Sequence, residues 1–86
     1  MYKIDFSNLA AKELEEIYRI DKKLYSRLVA AIETLETNPY QGKRLKGKLA
    51  GDYSLRTGNY RIIYTIYKNT LVVYIIDLGH RKDIYK

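Results

Sequence analysis

The spacing of apolar residues changes from a helical repeat to a strand repeat at Asn38-Pro39, and this change constrains the fold more than any other feature of the sequence. Before it, apolar residues recur every three or four positions, as in an amphipathic helix. These residues are Leu24, Leu28, Ala31, Ile32 and Leu35. Proline cannot continue a helix, so the helix must end there. Beyond it, residues 60–67 and 71–78 are rich in β-branched and aromatic side chains, which is typical of strands.

The N-terminal segment predicts a short strand followed by a hairpin of two helices. Residues 2–6 alternate apolar and polar side chains, which is the pattern of a strand, and Ser7 and Asn8 can cap a following helix. The first helix is expected over residues 9–19, where the apolar positions again have helical spacing. Asp21 can cap the second helix. The two apolar stripes are expected to form core rather than a ligand site.

The second half of the chain predicts an antiparallel meander. Residues 40–52 hold three glycines and four cations without a regular period, which indicates an exposed loop. Strands are expected over residues 53–56, 60–67 and 71–78, separated by Thr-Gly-Asn and Lys-Asn-Thr turns. On the middle strand, one of the two faces can cover the helices. Tyr60, Ile62, Tyr64 and Ile66 share one face, and Arg61, Ile63, Thr65 and Tyr67 share the other.

These elements predict one α+β domain over residues 1–86, with an N-terminal strand, a two-helix hairpin, and then an antiparallel three- to four-stranded meander packed on the helices. The N-terminal strand is expected to flank the meander or to be inserted into it. The chain has no cysteine, so no disulfide or thiolate site is expected. Its apolar runs are shorter than the roughly 18 residues of a spanning helix. A cytoplasmic protein that does not enter the membrane is expected.

Positive charge is concentrated in the second half of the chain. Residues 43–86 carry ten Lys or Arg and three Asp or Glu, whereas residues 1–42 carry six and seven. Such asymmetry is expected of a domain that docks a polyanion through one face, and the mixture of arginine and tyrosine in this half favours RNA. Charge alone does not show whether the partner is RNA, a membrane surface or an acidic protein.

Four motifs occur in order along the chain: Asn38-Pro39, Leu45-Lys46-Gly47, Leu55-Arg56-x-Gly58-x-Tyr60-Arg61-x-x-Tyr64 and Gly79-His80-Arg81-x-x-x-Tyr85. Together, over nearly the whole chain, they resemble the RelE/ParE superfamily of bacterial and archaeal type II toxins. The resemblance implies a toxin neutralised by a separate antitoxin protein, with DNA contacted only indirectly through that antitoxin. The RelE-like branch cleaves mRNA on the ribosome, whereas the ParE-like branch is associated with DNA gyrase.

The resemblance assigns catalytic roles to residues of the last two motifs. Arg61 and Arg81 match the arginines that bind the scissile phosphate in RelE-like nucleases; surface arginines that pair with a carboxylate or an antitoxin are the alternative. Tyr85 matches a C-terminal tyrosine that stacks on a base or orients the substrate, and packing of the last strand is its alternative. Some members of the family place a catalytic histidine in this segment. His80 is the only histidine here, and an exposed residue without a role is its alternative.

Basic residues of the loop and of the next strand predict an RNA-binding surface. Cations that alternate with leucine and glycine suit a phosphate backbone, with little base readout. The candidates are Lys43, Arg44, Lys46, Lys48 and Arg56. A solvated loop is the alternative for any single lysine. No metal and no other cofactor is expected, because the acidic residues of this half are dispersed along the sequence.

Two positions depart from the RelE-like pattern. RelE-like enzymes commonly carry Lys or Arg immediately before the Leu-Arg pair and again two positions earlier, whereas this chain has Ser54 and Asp52. Proton transfer is then left to His80, Lys46 or Lys48, or cleavage is slow or absent. A ribosome-associated RelE-like endoribonuclease is the leading hypothesis, and a ParE-like gyrase inhibitor or an inactive antitoxin-binding relic is the alternative.

Overall fold

The helices and strands form two layers in the computed structural model, which describes residues 1–47 and 50–80. In chain order the elements are β1 (Lys3–Phe6), α1 (Asn8–Ile20), α2 (Lys22–Thr34), a short 3₁₀ turn (Pro39–Gln41), β2 (Lys43–Arg44), β3 (Tyr53–Thr57), β4 (Tyr60–Tyr67) and β5 (Val72–His80). The strands form a five-stranded sheet in the order β1-β5-β4-β3-β2. β1 is parallel to β5, and the other neighbours are antiparallel. The predicted α+β class is confirmed, with β1 flanking the meander.

Two polar side chains define the helical hairpin. The Ser7 hydroxyl accepts a hydrogen bond from the backbone N–H three residues on (3.0 Å) and donates one to the Ile76 carbonyl (2.6 Å), so it caps α1 and ties it to β5. The Asp21 N–H donates to the Ile17 carbonyl at the end of α1 (2.8 Å), and the Asp21 carboxylate accepts from the Leu24 N–H in α2 (3.1 Å). Both predicted caps are confirmed. Each helix has 13 residues, and nowhere in residues 1–47 and 50–80 is a helix long and apolar enough to cross a membrane.

One face of the sheet packs on both helices and forms the core. The buried core residues are Ala10, Leu14, Ile17, Leu28, Ile32, Leu35, Ile62, Tyr64, Val73, Ile75 and Leu78. Of the two faces of β4, the one with Tyr60, Ile62, Tyr64 and Ile66 covers the helices. Ile62 and Tyr64 are fully buried, and Tyr60 and Ile66 pack against the core. The other face of the sheet, called the outer face below, carries the alternate residues of β3 and β4.

Part of the segment predicted as a loop is ordered secondary structure. It forms the 3₁₀ turn and then β2, which pairs with the start of β3. The Tyr64 hydroxyl donates a hydrogen bond to the Pro39 carbonyl (2.7 Å) and accepts one from the Gly42 N–H (3.1 Å), so it holds the turn against the sheet. The prediction of a loop is therefore wrong for Lys43 and Arg44. The contacts that order these residues come from distant parts of the chain and leave no local period in the sequence.

β5 is longer than predicted and contains an irregularity. The strand continues through Gly79 to His80 instead of ending at residue 78. Its register with β4 skips Ile76, which is the extra residue of a β-bulge. Ile75 lies in the core before the bulge and Leu78 lies in the core after it, so the bulge reverses which residues of β5 face the helices.

Gly42 is expected to tolerate no side chain. A Cβ atom there would lie 2.5 Å from the Tyr64 hydroxyl oxygen and 2.9 Å from the Ser54 carbonyl oxygen. We expect Gly42→Ala to lower the free energy of unfolding by about 1–3 kcal/mol, the usual range for overpacking, as measured by urea denaturation. In a Tyr64→Phe background the same substitution should cost less, because the nearer clashing atom is gone. An equal cost in both backgrounds would contradict this account.

Tyr64 should also limit the stability of the fold at alkaline pH. Burial raises the pKa of its phenol above 10.0 and repulsion from Tyr53 adds to this, although the hydrogen bond from the Gly42 backbone lowers it. The unfolded chain therefore loses this proton at a lower pH than the folded chain. The stabilisation is complete below about pH 10 and is lost as the pH rises through the folded-state pKa. In alkaline urea titrations, the stability of Tyr64→Phe should fall less steeply with pH than that of the wild type; parallel curves would refute the assignment.

Candidate nucleic-acid interface

Two arginines lie directly across from each other on the outer face. In the register of β3 with β4, Arg56 pairs with Arg61. Arg56 is exposed and Arg61 is half-buried. Opposed like charges weaken a strand pair, whereas an anion placed between two guanidinium groups is attracted by both. This row of the sheet is therefore suited to bind a phosphate.

The turn between β3 and β4 sets this pairing. Gly58 and the residue after it form a two-residue turn between Thr57 and Tyr60, and Gly58 has a φ of 60°. A two-residue turn fixes the register, so Arg56 must face Arg61. The sequence prediction treats Arg56 only as an RNA contact near a strand end. Counting outward from the Gly-Asn turn would have placed it opposite Arg61.

Gly79 continues this row on β5. It pairs with Arg61, is buried, and places no side chain beside that arginine on the outer face. Three other predicted residues, namely Arg81, Tyr85 and Lys48, lie outside the described residues. The structure thus brings two of the predicted arginines together, and the roles of these three residues stay predictions from the sequence.

His80 is not brought together with the arginine row. It pairs with Tyr60 and so lies on the core face, where the two rings meet edge to face with centroids 5.9 Å apart. It borders a cavity of about 290 Å³ whose opposite wall is α1, including Leu9 and Glu13. Arg61 lies on the outer face, so His80 could meet a phosphate bound there only by reaching around the end of β5.

The two residues of β2 lie on different faces of the sheet. Lys43 pairs with Ser54 on the outer face, and Arg44 pairs with Tyr53 on the core face. The guanidinium carbon of Arg44 is 6.0 Å from the centre of the Tyr53 ring, within cation–π range. Lys46 is exposed in the loop that follows. The basic residues that the sequence groups together are therefore distributed around the edge of the sheet.

The hydroxyl and acidic groups near this edge offer little for acid–base or metal chemistry. Ser54 is 4% exposed, and a serine hydroxyl does not ionise near neutral pH, so it is poorly suited to act as a general acid or base. Asp52 is half-buried, and its carbonyl accepts a hydrogen bond from the Leu45 N–H (2.9 Å). Within residues 1–47 and 50–80, no group of three or more His, Asp or Glu side chains could hold a metal ion.

The sequence matches a known protein family over nearly its whole length. The family model described as the ParE toxin of the type II toxin-antitoxin system, parDE, aligns with residues 4–85. The chain belongs to the RelE/ParE superfamily of type II toxins. The resemblance inferred from the four motifs is thereby confirmed.

Several proteins are similar to this RelE/ParE toxin over nearly their whole length, in sequence or in fold. Toxin RelG of Mycobacterium tuberculosis is 34% identical over an alignment of 91 positions. The alignment covers 99% of this chain and 97% of that protein. The toxin-antitoxin complex RelBE2 from the same species matches at 30% identity and a TM-score of 0.81, covering 93% of this chain and 98% of the other. The YoeB/ParE toxin from Agrobacterium tumefaciens has a TM-score of 0.82 at 22% identity, with 91% and 96% coverage, and shows the shared fold alone.

The names of these relatives come from both branches of the superfamily. The family model is named for ParE, whereas the relative at 34% identity is named RelG, so membership establishes a type II toxin without establishing its target. The target must be inferred from the chemistry of the outer face.

Proposed function

We propose that this toxin is a metal-independent endoribonuclease that cuts mRNA on the ribosome and so inhibits translation in the cytoplasm. The observation that carries the proposal is the row of Arg56, Arg61 and Gly79 on the outer face, in which two guanidinium groups lie beside a position without a side chain. The likeness to RelG and to the RelBE2 toxin supports the RelE-like branch.

The chemistry of RNA cleavage explains why such a row is useful. The 2′-hydroxyl loses a proton and attacks the adjacent phosphorus in line, and the bond to the 5′-oxygen breaks as that oxygen gains a proton. Negative charge builds on the nonbridging phosphate oxygens in the transition state. Arginine stays protonated and donates in a fork that matches these oxygens, and one donor of this kind contributes about 3–4 kcal/mol in comparable oxyanion sites. We assign this role to Arg61, which Arg56 faces across the strand pair, and, by resemblance to the family motif, to Arg81.

Proton transfer is a separate role with three candidates from the sequence, namely His80, Lys46 and Lys48. The position of His80 on the core face, away from the arginine row, favours a loop lysine. Lys46 is exposed and follows the edge strand β2, so its flexible side chain is free to move toward bound RNA. Tyr85 keeps its predicted role of stacking on a base or orienting the substrate.

An antitoxin protein is the proposed partner. The RelBE2 relative was solved as a toxin-antitoxin complex, and an archaeal RelE from Pyrococcus horikoshii, 25% identical with a TM-score of 0.74, was solved with RelB. On this chain α1 exposes apolar side chains that a partner can cover, since Leu9, Tyr18 and Ile20 are 54%, 48% and 84% exposed. The net charge of +6 suits an acidic partner, so the complex should weaken with salt yet persist through apolar contacts.

The decisive experiment maps mRNA 5′ ends on ribosomes in a translation extract, with and without the protein, beside a gyrase supercoiling assay. New cuts at A-site codons would support the nuclease. Intact mRNA with inhibited gyrase would favour the ParE-like alternative, and no effect in either assay is the result expected of an inactive antitoxin-binding relic. The alternatives are kept because Ser54 is buried and uncharged where RelE-like enzymes commonly have a basic residue.

Arg81→Ala is expected to abolish the growth arrest caused by the toxin while the protein stays folded, because a guanidinium bound to the scissile phosphate would be lost. The measurement is growth after induction, with circular dichroism of the purified variant. Lys82→Ala is the matched control, since it removes the same charge from the next position and should remain toxic. Full toxicity of Arg81→Ala would show that Arg81 is not a catalytic residue.

A further inference from the structure

Aromatic side chains near β2 form a stack that begins in the core and ends in an exposed ring. Tyr53 stacks on the fully buried Tyr64, with centroids 5.4 Å apart and planes inclined by 17°. Tyr40 meets Tyr53 edge to face, with centroids 6.0 Å apart. The Tyr64 hydroxyl is fixed by its hydrogen bonds to the Pro39 carbonyl and the Gly42 N–H. The stack is therefore anchored at its inner end.

The outer end of this stack is half-exposed, and the Tyr40 hydroxyl interacts with the hydroxyl of Tyr2. Tyr40 is 47% exposed, and an edge-to-face contact with Tyr53 can cover at most one face of its ring. Tyrosine has few rotatable bonds, and Tyr40 directly follows Pro39 in the 3₁₀ turn, so little conformational entropy is lost when a flat group stacks on it. An exposed, supported ring of this kind suits an unpaired base.

Cationic side chains connect this ring to the arginine row. Arg44 is exposed and lies over Tyr53, on the same side of the sheet as the stack. Its neighbour Lys43 is on the outer face, where Arg56 and Arg61 also lie. The row on β4 and the edge strand β2 are two strand spacings apart, or about 10 Å. A strand of phosphates held by the arginine row can thus pass Lys43 and turn around the sheet edge toward Arg44.

We propose that Tyr40 and Arg44 form a base-stacking subsite for single-stranded RNA, in which an unpaired base stacks on the Tyr40 ring and the adjoining phosphate is bound by Arg44. The subsite rests on the proposed function and extends it, because it would hold a nucleotide that flanks the scissile phosphate. Every base has a π face, so the subsite adds affinity without selecting a sequence. Bases of duplex RNA are already stacked and paired, so duplex RNA should not occupy it.

The test measures binding of the full-length protein to a 2′-O-methyl RNA of roughly 12 nucleotides that contains 2-aminopurine. The methyl group blocks the nucleophile, so the probe cannot be cleaved. Stacking should quench the fluorescence of the bound probe. Tyr40→Leu should weaken binding about tenfold and remove the quenching, whereas Tyr40→Phe should retain both, because the ring and not the hydroxyl stacks. Arg44→Ala should weaken binding and reduce the salt slope by about one.

Tyr67→Leu is the matched control. Tyr67 is 51% exposed and contacts another ring, that of Tyr74, at 6.3 Å, but it lies at the opposite end of β4 from Arg61. Its removal should leave binding and quenching unchanged. Circular dichroism of each variant establishes that it is folded.

Three outcomes would overturn the subsite. The first is wild-type binding by Tyr40→Leu, or equal losses in Tyr40→Leu and Tyr67→Leu. The second is no binding of the probe by the wild-type protein; cleavage of mRNA in the translation extract would still decide the proposed function independently. The third is loss of neutralisation by the antitoxin without loss of RNA binding in Tyr40→Leu, which would assign Tyr40 to the protein partner.

Discussion

Arg61→Ala is expected to lower the rate of mRNA cleavage by about a hundred- to a thousandfold, the usual loss when one donor to a developing oxyanion is removed. Arg61 is half-buried on β4, which lies between β3 and β5 in the sheet. Its position is therefore better fixed than that of the exposed Arg56. Arg56→Ala should therefore lower the cleavage rate by less than Arg61→Ala does. Arg61→Lys should recover only part of the rate, because an ammonium is a point charge and cannot form the guanidinium fork. The measurement is the single-turnover rate of mRNA cleavage in a translation extract.

Lys68→Ala supplies the control for charge. It removes one positive charge from the exposed turn between β4 and β5, at the far end of β4 from Arg61. We expect Lys68→Ala to cleave mRNA at close to the wild-type rate. The circular dichroism should be unchanged in both Lys68→Ala and Arg61→Ala. If Arg61→Ala and Lys68→Ala cut mRNA at the same rate, the arginine row does not bind the scissile phosphate.

Leu28→Ala is expected to lower the free energy of unfolding by about 2–5 kcal/mol, because the truncation leaves a cavity in the core. Leu28 is on α2, has no exposed surface, and belongs to the cluster that joins both helices to the sheet. Small domains have a total stability of about 5–15 kcal/mol, so a loss of this size is a large part of the whole. Urea denaturation followed by circular dichroism measures it, and the midpoint should shift with little change in slope.

Leu9→Ala makes the same chemical change at an exposed site. Leu9 lies on α1 and is 54% exposed, so its truncation should change the stability by no more than about 0.5 kcal/mol. Leucine and alanine both have high helix propensity, so the contrast between the two sites mainly measures the effect of burial. Equal losses in the two variants would mean that the core cluster does not stabilise the fold as described.

The sequence predicts those parts of the fold that local interactions determine. Ser7 and Asp21 each lie three residues before the backbone N–H that they cap, so both helices could be placed from the sequence. β2 could not be placed, since Lys43 and Arg44 are ordered by pairing with β3 and by a turn held by Tyr64. Such contacts join distant residues and leave no periodic pattern.

The same distinction separates the parts of the site. Arg61 and its partner Arg56 follow from a short turn, so their pairing is available from the sequence. The face of the sheet on which His80 lies could not be predicted from the sequence, because it depends on the bulge at Ile76. Unbroken alternation along β5 from the buried Ile75 would place His80 on the outer face with Arg61, and the single extra residue of the bulge moves it to the core face.

The parallel pairing of β1 with β5 determines when the fold can be completed during synthesis. Lys3 pairs with Val72, and the Ser7 hydroxyl donates a hydrogen bond to the Ile76 carbonyl 69 residues away. These contacts join distant parts of the sequence and so raise the contact order of the fold. During synthesis β1 emerges from the ribosome before β5, so it cannot pair until β5 has been made. The helical hairpin can form early, but its apolar face stays uncovered until β4 and β5 have been made. The arginine row likewise needs Gly79 of β5, so it is complete only after that strand has been made.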